Sequence, residues 1–435
     1  MRPRAGAALA AVIFASIGAS GCGSAELRAA RSGDRAGLRE AIGERHKQGR
    51  ITNAEAGEMA REVAAREIET APRDAALARV RQVRGCAAEL DGALADRSKI
   101  HDAAGAEAAQ ARVDDGRLDD DDARAFLGDR DDAWRAVGAR GLVRREDHAA
   151  RVRAFVDPAP QVRRAAVRAA AAAKDPSEVD ALSEVARLDP ELLLRNEAVR
   201  ALAEIGGAAT SAKLRDLWTT GDEPLREDIA GAWAKPGVYG SGGREPLRLL
   251  LASGHGPGVI EGAAAALRLV PESDREVRDE ASALLVRTVA TASRRDRLHA
   301  IAVIPLQRAE AAAAVKRASS DDDVEVRVGA LGRLLSVPAE RASAQRDLEA
   351  IAGQEAYGAP SSRARFELAS AGDVRVQAWI ERDLASRDPE TRAAAADALA
   401  ALGRSARGAP LLADDDASVR THAACTLLVA ARARR

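Results

Sequence analysis

Two stretches decide the fold: DPAPQVRRAAVRAA, residues 157–170, and DPELLLRNEAVRAL, residues 189–202. In the first, Asp157 and Pro158 precede Arg163 by six and five residues, and Ala166 and Ala170 follow it by three and seven. The second repeats the spacing with Asp189, Pro190, Arg195, Ala198 and Leu202. The same interval of six joins Asp129 to Arg135, Asp321 to Arg327 and Asp414 to Arg420, with a small residue at plus three (Gly138, Ala330, Ala423) and leucine at plus seven (Leu142, Leu334, Leu427). Relaxing the aspartate adds Arg226 with Ile229 and Trp233, Arg297 with Ala300 and Ile304, and Arg392 with Ala395 and Leu399. Weaker copies stand at Ile260 with Ala263 and Leu267, and at Arg363 with Phe366 and Ser370. These ten anchors recur about every 32 residues, enough for two short helices and their turns.

Offsets of three and seven put a small and a larger apolar residue on one helical stripe, which must be buried against a neighbour. Asp-Pro ahead of the stripe reads as a helix start, the aspartate accepting from free amides and the proline filling the first turn. The arginine six residues on reaches back to an aspartate of its own or the adjacent turn, so that repetition makes a ladder of charge-assisted hydrogen bonds. Ten helical hairpins follow.

The pattern D-P-x-x-x-V-R-x-x-A-x-x-A-L resembles the HEAT repeat, in particular the short variety found in phycobilisome lyases, over about residues 129–435. The resemblance implies an all-α, right-handed α-α superhelix whose concave face binds proteins or peptides. Residues 22–128 lack this register and are read as an N-terminal helical cap, because the end of a repeat array otherwise exposes the face its neighbour would cover. Within them AELRAARSGDRAGLREAI, from Ala25, reads as a capping helical hairpin, and further helices are expected at 53–70, 74–95 and 102–112.

Residues 1–21 have two arginines, an apolar stretch from Ala5 to about Ile17 and then small residues, the layout of a secretory leader too short to span a bilayer. Ala19-Ser20-Gly21-Cys22 resembles the bacterial lipobox, although leucine is preferred where Ala19 stands. The resemblance implies lipidation at Cys22, a membrane attachment through that lipid and, with Gly23 rather than aspartate next, an outer-membrane address facing the periplasm. An ordinary cleaved leader with an incidental cysteine is the plainer alternative. Of the remaining cysteines, Cys86 and Cys425 lie near opposite ends, and an extended array is expected to keep them apart, as small apolar residues on helix faces or as free thiols.

Composition narrows the function. The chain's 66 basic and 67 acidic residues nearly balance, and loss of Arg2 and Arg4 with the leader gives a net −3. That balance argues against nucleic acid as a partner. Aromatics make up 2% of residues, too few for base-stacking platforms or aromatic-lined pockets. GRITNAEA from Gly49 and GRLDDDDA from Gly116 resemble half of a calcium loop, but the earlier ligand positions hold Glu44, His46, Ala111 and Val113. Thr52 with Glu55 is the better capping box, and Asp119 to Asp122 place negative charge on a first turn. The six histidines show no metal-ligand spacing, so no metal or other cofactor is expected. KPGVYGSGGREP, from Lys235, lacks the Walker lysine and hydroxyl and reads as an inter-repeat loop. No nucleophile elbow is present, so no catalytic residue is assigned. The reading is a non-enzymatic, lipid-anchored envelope scaffold with an unidentified protein or peptide partner; the alternatives are a lyase-like enzyme and a passive spacer.

Overall fold

The structure, a computed structural model, describes residues 24–354 and 358–433. It is all-helical, with no strand among the described residues, and its hairpins stack into a superhelix. Cys22 and the leader, 1–21, lie outside the described residues.

Twelve hairpins make up the array, and their second helices form one layer. We label these α1 (Arg73–Gln82), α2 (Ala103–Asp114), α3 (Asp132–Arg140), α4 (Pro160–Ala173), α5 (Leu192–Ile205), α6 (Glu223–Trp233), α7 (Val259–Leu269), α8 (Arg294–Val303), α9 (Val324–Leu334), α10 (Ala359–Ser370), α11 (Pro389–Ala401) and α12 (Ala417–Arg432). Helices α3–α12 are the ten expected from the anchors. Their stripes are buried: Ala166 and Ala170 in α4, Ala198 and Leu202 in α5, Ala330 and Leu334 in α9, and Ala423 and Leu427 in α12 are all under 3% exposed. Small side chains at these points let neighbouring helices close up, and each buried leucine contributes about 1.5–3 kcal/mol.

Two details of register differ from the sequence reading. Asp157 is not the cap of α4: its carboxylate accepts from the Ala159 amide at 2.9 Å, and the helix starts on Pro160, three residues after it, with Ala159 at the cap position. In α10 the anchor is Ser361, not Arg363, because Ser361, Ala364 and Leu368 are buried while Arg363 and Ser370 are exposed. Ser361 takes the arginine's place by donating to the Ile351 carbonyl at 3.1 Å.

The larger correction concerns the ends. Each of α1 to α12 packs on the next, and α12 packs on α1 and, more extensively, on the helix Asn53–Thr70 that precedes it. The superhelix therefore closes on itself. The successive second helices pack more closely than the first helices, several pairs of which hardly touch, so α1–α12 form the inner wall. No helix packs against one on the far side among the described residues. A round ring of twelve helices spaced 8–10 Å, each about 10–12 Å thick, has a clear bore of about 20 Å.

Residues 53–114 thus do more than cap one end, since they add two hairpins that cover both ends of the array. The hairpin Ala25–Ser32 and Arg35–Lys47, turned at Gly33, packs outside this join on Asn53–Thr70 and on the 3₁₀ segment Ser405–Ala413. Asn53–Thr70 begins on the expected capping box of Thr52 and Glu55. The stretch 74–95 is not one helix: α1 stops at Gln82, and a 3₁₀ segment, Arg84–Leu90, with Cys86 off helical geometry, leads into Asp91–Arg97.

At the seam one apolar core contains Met59, Val63 and Val80 from one end of the chain and Leu412, Leu427 and Leu428 from the other. Gly57 allows a close approach there, since a Cβ on it would stand 3.0 Å from that of Ala431. The Asn53 carboxamide oxygen accepts from the Ser405 hydroxyl and the Ala406 amide, both at 2.9 Å, and Arg39 donates to the Ala413 carbonyl at 2.8 Å. Cys86 and Cys425, far from being held apart, form a disulfide across 339 residues of sequence. Distance along the chain misled the sequence reading because curvature summed over the hairpins returns the last to the first.

Arg420 on α12 donates to Glu67 at 2.6 Å, both side chains largely buried, from ends of the chain 353 residues apart. Arg420→Ala and Glu67→Ala should each destabilise by about 2–3 kcal/mol, and the double variant by little more than either. Urea unfolding of the four proteins checks this; additive losses would mean the two residues do not meet.

Candidate functional site

The sequence-predicted arginines and aspartates come together as joints between hairpins. Arg135 donates to both oxygens of Asp157 at 3.2 Å, and Arg163 to Asp189 at 2.6 and 3.0 Å. Arg195 passes Asp189 and bonds Asp222 at 2.7 Å. Each carboxylate thus belongs to the following hairpin. The other edge of the guanidinium turns back on its own hairpin: Arg163 donates to the Asp157 carbonyl at 2.9 Å, Arg327 to that of Asp321 at 2.6 Å and Arg420 to that of Asp414 at 2.6 Å. Asp129 holds the Asp131 amide at 2.9 Å and lends its carbonyl to Arg135. Asp321 accepts from Arg297, and Asp414 from Arg392 at 2.7 and 3.0 Å. The hydrogen bond to Asp189 holds the Arg163 guanidinium above its ordinary value.

The ladder lapses in the middle of the chain. Arg226 turns to the Trp218 carbonyl at 3.0 Å, and Ile260 has no guanidinium to offer. There Asp274 is gripped instead by Tyr239 and by Arg244, both at 2.6 Å, from the KPGVYGSGGREP segment. That segment is a wide helical turn with Gly242 at φ 117°, joined to the helix Arg244–Ser253. The Arg244 and Tyr239 hydrogen bonds lower Asp274 to about 2.

Facing the bore, the inner wall carries a trough that no single sequence motif announced. One hollow in it, about 660 Å³, lies between α8, α9 and α10. Leu298, Ile301 and Val328 floor it, with Glu325, Arg333, Arg363 and Glu367 at the rim. Gly332 keeps it open on one side, since a Cβ there would stand 2.8 Å from the Glu367 carboxylate. A second depression of about 490 Å³ between α10 and α11 shares Ala359 and Arg363 with the first and adds Phe366, over whose ring Arg363 lies 5.5 Å from the centroid. A third, about 360 Å³, runs over α5, α6 and α7 to His299 of α8. In it Arg200 bonds Asp228 at 2.8 Å, Lys235 bonds Glu204 at 2.7 Å, and Glu227 is pushed up by burial and by neighbouring Glu261. The arrangement offers small apolar hollows between paired charges of both signs, which suits a polypeptide with mixed side chains better than a polyanion.

Among the described residues one cluster has metal-ligand proximity, His148, Asp175 and Glu178, on the outer helices. Arg151 already fills it: its Nε lies 2.6 Å from the buried Glu178, which His148 approaches at 3.3 Å. The guanidinium supplies the positive charge a cation would bring.

Residues 149–234, which contain Asp157, Arg163, Asp189 and Arg195, match the family model of HEAT repeats. No curated protein matches the chain. Among solved structures, an engineered protein is 20% identical, with 81% of this chain and 98% of that chain covered and a TM-score of 0.24. A mutant of Kap121p is 10% identical over 92% of this chain and 47% of that chain, with a TM-score of 0.33. Kap95p, from a structure concerned with RanGDP and nuclear import complex assembly, is 12% identical over 87% and 60%, with a TM-score of 0.31. The chain thus spans about half the length of the Kap121p chain.

The Arg163 and Asp189 side chains are 10% and 4% exposed, whereas those of Arg195 and Asp222 are 24% and 42% exposed. Arg163→Ala should therefore cost about 3 kcal/mol, as for a broken buried pair, and Arg195→Ala less than about 1 kcal/mol, as for an exposed one. Equal losses in chemical unfolding would contradict the burial argument. Because Asp274 ionises more readily folded than unfolded, its contribution is fully present above about pH 4 and is lost as the pH falls towards 2. Asp274→Asn should flatten the acid limb of the stability curve in that window, as followed by helix ellipticity, and leave its slope above pH 5 unchanged.

Proposed function

We propose that the protein is a non-enzymatic scaffold, lipid-anchored in the cell envelope at the outer membrane and facing the periplasm, which holds an extended polypeptide partner on the inner wall of its closed array. The observation that carries this reading is the trough over α5 to α11, where apolar hollows alternate with paired charges. The trough runs halfway round a bore of about 20 Å, an inner arc of about 30 Å with room for about nine extended residues. Binding spread over such a length needs no single deep pocket. The near-neutral composition of the chain supports a protein partner over nucleic acid.

The envelope address is supported by the leader pattern of residues 1–21, the lipobox-like approach to Cys22 and the bonded Cys86–Cys425 pair, since disulfides persist in oxidising compartments. Tethered by acyl chains at the front end, the array would stand on the membrane with its bore open to passing chains.

Photo-crosslinking from Ala302, an exposed position lining the hollow between α8, α9 and α10, tests the reading in native membranes. One discrete polypeptide adduct is expected, abolished when Ala302→Trp fills the hollow and the crosslinker is moved to neighbouring Ser336. An adduct that survives the filling, or none from any trough position, would sink the reading. Cys22→Ser should move the protein from the membrane fraction to the soluble one, and continued tight association would remove the lipid anchor.

A further inference from the structure

The two sulfurs that bridge the seam stand in unlike surroundings. Cys86 is 1% exposed, enclosed by the 3₁₀ segment and the shared core, whereas Cys425 is half-buried on α12. One helical turn before Cys425, His422 sits with Nε2 3.0 Å from both carboxylate oxygens of Asp397, which also accepts from Thr426 at 2.7 Å. Residues three apart on a helix are neighbours on its surface, which sets this paired imidazole one turn from the less buried cysteine. Its hydrogen bond to Asp397 raises its affinity for a proton, and a protonated His422 eases the later departure of Cys425 as a thiolate, while access decides which sulfur is attacked first.

We propose that the Cys86–Cys425 bond is a thiol-exchange site through which an external dithiol unlatches the ring. Its regulatory half, control over entry of a partner to the inner wall, rests on the scaffold reading. Displacement at a disulfide needs an open approach to the attacked sulfur, opposite the one that leaves, and of the two residues Cys425 is the less buried. A thiolate of the reagent bonds to Cys425 Sγ, the S–S bond breaks, and Cys86 departs as a thiolate that takes up a proton. The reagent's second thiol then displaces Cys425 from the mixed disulfide. The reagent leaves as its own disulfide, having supplied two electrons to the two cysteines.

Unlatching matters because the ring is otherwise without ends. While the bond stands, α12 cannot leave Asn53–Thr70 and the Cys86 segment without unwinding, and a partner reaches the bore only by threading a free end. Once the bond is broken, what remains is non-covalent: the shared core, Arg420 on Glu67, the Asn53 contacts, and Arg407, which donates to the His46 carbonyl at 3.0 Å and binds Glu381. Repeat arrays open preferentially from their ends, and reduction gives this one ends.

The test uses the full chain in detergent, first with reduced glutathione as a one-thiol probe that stops at the mixed disulfide, then with dithiothreitol. Peptide mapping after acid quench should place the glutathione adduct on Cys425 at least tenfold over Cys86; an adduct chiefly on Cys86, equal labelling, or a bond that no thiol reaches in the folded protein would overturn the assignment. Amide hydrogen exchange with dithiothreitol should quicken at least tenfold in 53–70 and 417–432 while 192–205 stays unchanged. Equal protection before and after reduction would overturn the unlatching. The Cys86→Ser, Cys425→Ser double variant should match the reduced protein in exchange without any reductant, and wild-type protection in it would count against the proposal. No partner takes part in these readouts, so their failure is separate from failure of the scaffold reading, which the Ala302 crosslinks decide.

Discussion

The structure depends on one joint, the guanidinium shared between consecutive hairpins. In Arg163 one edge grips the Asp189 carboxylate of the hairpin ahead and the other edge holds the Asp157 carbonyl of its own turn. Because the guanidinium is planar and its donors point in fixed directions, a bidentate grip sets orientation as well as distance. Arginine therefore fixes how each hairpin sits on the next, and small residues such as Ala166 and Ala198 set how close it comes. Curvature follows from the repeated use of both. Inner helices rich in alanine approach more closely than outer ones, and the array bends towards them.

The same joint completes the ring. At Arg420 no further hairpin follows in sequence, yet its guanidinium is fully used, on the Asp414 and Asp415 carbonyls and on Glu67. Glu67 stands near the end of the first helix of its hairpin, where Asp189 stands in relation to α5, so the first hairpin receives the last as any hairpin receives its predecessor. The glutamate lacks the aspartate spacing that marks the other copies, and no local pattern reveals it.

That contrast shows what the sequence could and could not disclose. The spacing of Asp157, Arg163 and Ala166 is a local consequence of helix geometry, so the all-helical fold, the ten hairpins and the interlocking residues were legible in it. The copy at Arg363 was misplaced by two residues because Ser361, a poor match to the pattern, fills the buried position. The closure, the Cys86–Cys425 bond and the trough were not legible, since each joins residues whose nearness is the sum of rotations at every joint between them. A window of thirty residues contains the rotation at one joint and says nothing of the total.

Closure also changes what stability means for such an array. In an open solenoid each hairpin answers to its neighbours, and the terminal ones, with a single neighbour, fray first. Twelve hairpins that return on themselves turn through about 30° each, and a few degrees of error per joint would leave an open spiral instead. The Gly57–Ala431 approach, the Arg420–Glu67 joint and the disulfide all fall at the one join where that error would collect. Concentrating small residues, charge pairing and a covalent bond there selects the ring over the spiral, while in the ladder-poor stretch around α6 to α8 Asp274, held by Tyr239 and Arg244, substitutes for the missing joint.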